Sequence, residues 1–158
     1  GIRDHCVTGV QTCALPISLE VPVVGVSTLA AFASEVVLGG GVGTVVASID
    51  ARHDHVYAQA VTATGTPISP PKIARPREFV EELGNGPVRF TGSGAGTMIL
   101  DAWSRFIPAD VSGSVVTPSI ACVARLGLSA VPRTAPPNPL YVKNADVTVR
   151  VAPMFQPA

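Results

Sequence analysis

The sequence carries little charge and no excess of either sign: 14% of its 158 residues are charged, with eleven lysines and arginines against eleven aspartates and glutamates. A balanced chain sets up no long-range field to draw it onto a phosphate backbone or an anionic membrane, so direct nucleic-acid binding has no electrostatic support. Long apolar runs are missing too. Stretches such as Val21 to Val26 fall far short of the ~20 residues a membrane-spanning helix requires. No basic start followed by an apolar run and a small-residue cleavage site is visible, and no internal repeat recurs. Aromatic residues make up only 5%. Trp103 and Phe106 have only Arg105 interleaved with them, which argues for core positions rather than a base-stacking platform. Cysteine is scarce, at Cys6, Cys13 and Cys122. Cys122 lies in an apolar helical pattern, where a lone thiol behaves as a small buried hydrophobe. A soluble, cytoplasmic protein is expected. Against these absences stands a hydrophobic content of 47%, enough to build the core of one domain.

The opening segment, residues 1–18, reads differently from the rest. Its eleven residues Val7-Thr8-Gly9-Val10-Gln11-Thr12-Cys13-Ala14-Leu15-Pro16-Ile17 show neither helical nor strand periodicity. They are identical to a translation of the reverse complement of a widely used sequencing-library adapter. Gly1 to Ser18 is therefore expected to be a non-native leader and to take no part in the fold.

From Leu19 onward the pattern becomes that of a folded domain. Val21 to Val26 predicts a short buried strand. Ser27 caps a predicted helix whose stripe is Leu29, Phe32, Ala33, Val36 and Val37, and Gly39-Gly40-Gly41 ends it and marks a hinge. Thr44 to Asp50 and His55 to Val61, rich in β-branched and apolar residues, predict an antiparallel hairpin around the polar Ala51-Arg52-His53-Asp54. Gly65-Thr66-Pro67 breaks the chain. Pro76 opens a short helix with Phe79, Val80 and Leu83 on one face, stopped by Gly84 to Pro87. Val88 to Thr91 is a strand. A second helix is predicted with Ile99, Leu100, Trp103 and Phe106 as its stripe, and a third from Thr117-Pro118 carrying Ile120, Val123 and Ala124. The prolines 132, 136, 137 and 139 predict an extended surface segment, and residues 149–158 a frayed tail. Strands alternating with helices indicate an α/β domain.

Two constellations invite chemistry. Asp50, His53, Asp54 and His55 gather four possible metal ligands within six positions, yet polar residues at a hairpin tip are ordinary, and no metal is expected. Gly92-Ser93-Gly94-Ala95-Gly96 sits between a strand and a helix, a context that suits phosphate. Its spacing matches neither the dinucleotide fingerprint nor the Walker loop, and no lysine follows, so a plain strand-to-helix turn is the simpler reading. The histidines of the folded part share one hairpin, which leaves no Ser-His-acid arrangement to argue from sequence. No cofactor is expected.

Three stretches, in order, resemble one family. Val21-Pro22-Val23-Val24-Gly25-Val26-Ser27-Thr28-Leu29 is similar to "IPVVGVSTLEAL". Ile49-Asp50-Ala51-Arg52-His53-Asp54-His55-Val56-Tyr57-Ala58 is similar to "LDARRGEVYAA". Pro139-Leu140-Tyr141-Val142-Lys143-Asn144-Ala145-Asp146 is similar to "PxYLRxPDA". These are motifs of the TsaB family, also called YeaZ. Lys143 stands where the family has arginine, and Asn144 where it has proline. The family's "LAIDTS" and "GPGSFTGLRIG" segments do not occur in this sequence.

The resemblance implies an α/β, actin-like ATPase (RNase H-like) second lobe, truncated, with a stub of the first. Its divisions are 19–43 for the end of the first lobe and the hinge, and 44–148 for the second lobe. It implies a non-catalytic scaffold in the machinery that makes threonylcarbamoyladenosine on tRNA, with TsaD and TsaE as partners and a homodimer as a further assembly. The family's surface for TsaD lies mainly on the first lobe. Motif positions with a structural or partner role are Asp50, Arg52, Tyr57, Tyr141 and Lys143. The alternative is a truncated actin-like ATP-dependent transferase or kinase of the TsaD type, which carries paired histidines in its first lobe.

Deleting residues 1–18 is expected to leave thermal stability unchanged. A fall in Tm beyond roughly 4 °C, the shift that about 1 kcal/mol produces in a domain of this size, would contradict the leader assignment.

Overall fold

Val45, Val46, Ala47 and Ser48 are each fully buried, so the strand that holds them is covered on both faces. That strand, β1 (Thr44–Arg52), is the centre of a five-stranded sheet in a computed structural model describing residues 19–113, 116–138, 140 and 142. Along the chain, helix α1 (Thr28–Leu38) precedes β1, and β2 (His55–Val61), β3 (Lys72–Ala74) and helix α2 (Pro76–Glu81) follow it. Strand β4 (Val88–Thr91), helix α3 (Ala95–Ser104), strand β5 (Ala109–Val111) and helix α4 (Ile120–Ser129) complete the set.

The strand order is β3-β2-β1-β4-β5. β2 runs antiparallel to β1 with Val45 opposite Val61 and Ile49 opposite Tyr57, and β3 runs antiparallel to β2. β4 is parallel to β1, and β5 is parallel to β4. Because side chains alternate across a strand, Val46 faces one side of the sheet while Val45 and Ala47 face the other. On the first side, Val46, Val56, Ala58 and Phe90 pack with Phe79 and Val80 of α2 and Met98 of α3. On the second, Val45, Ala47 and Val61 pack with Leu29, Phe32, Ala33 and Val36 of α1. The α1 stripe is thus the one its spacing predicts.

Arg89 ties the sheet to α1. It sits on β4, and its guanidinium donates to the carbonyl oxygens of Val36 (3.4 Å) and Gly40 at the end of α1. A cation there satisfies carbonyls that the last helical turn leaves open and opposes the negative end of the helix dipole.

Several sequence expectations give way. Val21 to Val26 pairs with no strand among the described residues. Its recorded backbone bond is Gly25 N–H to the carbonyl of Ala135 at 3.0 Å. The buried stripe of α3 is Ala95, Met98, Ile99 and Ala102, and the bulkier Leu100, Trp103 and Phe106 are 63%, 56% and 94% exposed. Alanines let the helix lie close to the sheet, which rotates the large side chains outward; Trp103 Nε1 donates to Ala109 O at 3.1 Å. Helix α4 begins at Ile120 behind Ser119, two residues later than Thr117-Pro118 suggests. It buries Cys122 while Ile120 stays 80% exposed. Pro132, Pro136 and Pro137 are exposed as expected, Pro139 lies outside the described residues, and the segment contains a turn in which the amides of Thr134 and Ala135 reach Val131 O. Among the described residues no helix is long and apolar enough to cross a membrane.

Phe106 ends α3 with φ +59°, a left-handed conformation that costs a residue with a side chain about 1–2 kcal/mol. Phe106→Gly is therefore expected to raise stability by about 1 kcal/mol, while Phe90→Ala, which empties a fully buried site, lowers it by about 3–5 kcal/mol. Chemical denaturation midpoints of the two variants should move in opposite directions.

Candidate functional site

Two concave regions lie at the end of the sheet where β1 terminates. The first is a polar cleft of about 380 Å³ formed by the hairpin tip, the turn after β4 and the start of α3. The hairpin narrows to a two-residue loop, since Arg52 pairs with His55 and the register shifts between Asp50 and Arg52. A two-residue hairpin loop of type I′, whose twist matches that of the sheet, needs positive φ at both central positions. Here His53 has φ +51° and Asp54 φ +57°, and Arg52 joins them at +61° beside the bulge. Histidine and aspartate tolerate that region better than most residues; arginine does not share the advantage.

Short hydrogen bonds hold this backbone. The Arg52 amide donates to Asp50 Oδ1 at 2.8 Å, and the Asp50 amide donates to Ser93 Oγ at 3.1 Å. His55 Nδ1–H donates to the carbonyl of His53 at 2.6 Å, since a carbonyl can only accept. The glycines after β4 answer a packing demand. Gly92 has φ +90°, and a Cβ there would lie 2.2 Å from the carbonyl oxygen of Ser48, while the Gly94 amide donates to that same oxygen at 3.1 Å. Gly92 and Gly94 thus let the turn close against β1. This accounts for the glycine-rich turn without a phosphate.

Asp50 and Arg52 therefore meet Ser93 and Thr97 in one cleft, with Arg52, His53 and Asp54 exposed at the tip. Among the described residues, no hydrogen bond joins Ser93 Oγ to either imidazole, and no group of three His, Cys, Asp or Glu side chains is placed to hold a metal ion.

Tyr57 lies elsewhere. It is paired with Ile49, one residue out of phase with Asp50, so it emerges on the opposite face of the sheet. There it lines a larger cavity of about 690 Å³. Gly25, Ser27 and Thr28 border this cavity from one side, Ile49 and Tyr57 from the hairpin, and Leu140 and Val142 from the far end of the described chain. The three sequence stretches quoted above thus converge on one hollow. Gly25 is part of the reason: a Cβ on it would stand 2.7 Å from Pro136 O, so glycine lets the 134–138 segment approach. Tyr141 and Lys143 lie outside the described residues. Sequence reasoning missed Ser93 as a partner of Asp50, and Thr134 and Asn138 as cavity walls, because each is brought in from a distant part of the chain.

Comparison with known proteins gives likeness of fold. No family model matches the chain, and no curated protein matches it. A solved structure of YeaZ from Pseudomonas aeruginosa superposes with a TM-score of 0.57 at 20% identity, over 89% of this chain and 72% of that one. A second, of an uncharacterized protein from the same organism with similarity to peptidase YeaZ, gives 0.55 at 20% identity, over 90% of this chain and 71% of that one. The chain shares the mixed α/β fold of these proteins, built on its five-stranded sheet.

Zinc titration of the purified chain is expected to show no tight stoichiometric binding. Saturable binding that disappears in His53→Ala or His55→Ala would mean that the tip closes into a multi-ligand site.

Proposed function

We propose that the chain is a TsaB-type, non-catalytic subunit of the machinery that places threonylcarbamoyl on tRNA adenosine, acting in the cytoplasm beside a TsaD-type catalytic partner and TsaE. The observation that carries this reading is the convergence of the three family-like stretches on a single cavity within a lobe that shares the YeaZ fold. Motifs scattered over more than a hundred residues of sequence have reason to be retained together where they build one surface.

The chemistry of the polar cleft supports a scaffold over an enzyme. Ser93 Oγ already accepts the Asp50 amide, and His55 Nδ1 is committed to a backbone carbonyl, so neither is arranged as nucleophile and base. For the same reason the peptidase named in one structural neighbour is not carried over. Asp50 and Arg52 hold the hairpin tip in shape. Tyr57 lines the cavity between the second lobe of the proposed division, 44–148, and what precedes the hinge, while Tyr141 and Lys143 carry a structural or partner role by motif resemblance alone.

Complementation tests this reading. In cells depleted of TsaB, the chain as given is expected not to restore threonylcarbamoyladenosine. A chimera placing a first lobe with the "LAIDTS" and "GPGSFTGLRIG" segments ahead of Val21 is expected to restore it and to co-purify with TsaD. ATP hydrolysis by the chain alone, or failure of a folded chimera to bind TsaD, would overturn the assignment.

A further inference from the structure

Away from both regions just described, a second apolar hollow of about 360 Å³ opens between α1, α4, β2 and the turn that follows β2. That volume falls within the range of small-molecule sites. Ala33 and Val37 of α1, Val61 of β2, Pro67 of the turn, and Cys122 and Leu126 of α4 form its walls. Gly65, at φ +87°, brings that turn against Val37, with a Cβ position 3.7 Å from the valine methyl. Cys122 contributes a free, buried thiol, which here serves as an apolar wall.

One charged residue lines the hollow, Arg125, and it is exposed. Among the described residues no ion pair engages its guanidinium. Among the described residues no acid lines the hollow: α4 carries none, and the single acid of α1, Glu35, is directed toward the Ser119 amide, which donates to its Oε2 at 3.4 Å. Walls that are mostly apolar, with the neutral polar Ser34, Gln59, Thr64 and Ser129 among them and one cation that no acid on the lining compensates, suit a ligand that is apolar along its length and anionic at one end. A neutral apolar ligand would fill the walls and leave the cation unused.

We infer that this hollow binds a small carboxylate with an aliphatic chain, its tail between α1 and α4 and its head on Arg125. The inference stands apart from the TsaB reading and does not depend on it. Isothermal titration with decanoate and with decanol, on the full chain, tests it. Decanoate is expected to bind saturably at one site, and Arg125→Gln to weaken it about fivefold, the scale of one exposed charge pair, while leaving decanol unchanged. Ala30→Phe, which fills the hollow from the partly buried α1 side, is expected to abolish both. The inference fails if decanoate shows no saturable binding, if Arg125→Gln affects the two probes alike, or if Ala30→Phe melts like the parent and still binds. Should Ala30→Phe fail to fold, the split between probes in Arg125→Gln decides alone.

Discussion

Burial of β1 on both faces is the constraint from which the rest of the structure follows. Val46 belongs to one core and Val45 and Ala47 to the other, so each layer of helices is positioned against the same few residues. The strand also has dissimilar neighbours, antiparallel β2 on one side and parallel β4 on the other. Its carboxyl end is where both concave regions form, because the hairpin, the turn after β4 and the segment after α4 all gather there. A residue placed at that end takes its role from the face it lands on, as the separation of Asp50 from Tyr57 illustrates.

Legibility in the sequence followed side-chain size and locality. The α1 stripe and the hairpin were readable because large apolar residues recur at helical or alternating spacing within a short window. Strands β3 and β5 were not, since three residues carry no period and their identity comes from the neighbours they pair with. The α3 face was misread because Ala95 and Ala102 do the packing that Leu100 and Trp103 advertise. The run Val21 to Val26 looks like a strand by composition, yet a strand needs a neighbour to receive its backbone groups. At the site, Asp50 and Arg52 were legible as hairpin residues. The Asp50–Ser93 bond spans 43 positions and leaves no local trace.

The hairpin tip shows how a conformation disfavoured by its own residues is sustained. Three consecutive residues with positive φ, none of them glycine, each carry a cost of about 1–2 kcal/mol. Bonds from Asp50 and Ser93 and the ring-to-carbonyl contact of His55 offset part of it, each contributing about 1 kcal/mol. The remainder is borne by the cores beneath, which fix the register of β1 and β2 and so dictate where the chain must reverse.

The position of β4 also has a consequence in time. Ser48 and Thr91, which its parallel pairing brings together, are 43 residues apart, and every residue of the apolar layer from Phe79 to Met98 emerges from the ribosome after the β1–β2 hairpin. At roughly 5–20 residues per second, the Val46, Val56 and Ala58 face stays bare for several seconds of synthesis. A nascent chain in that interval offers an unpaired strand edge and an uncovered hydrophobic plane, the two features by which incompletely synthesised domains associate with one another.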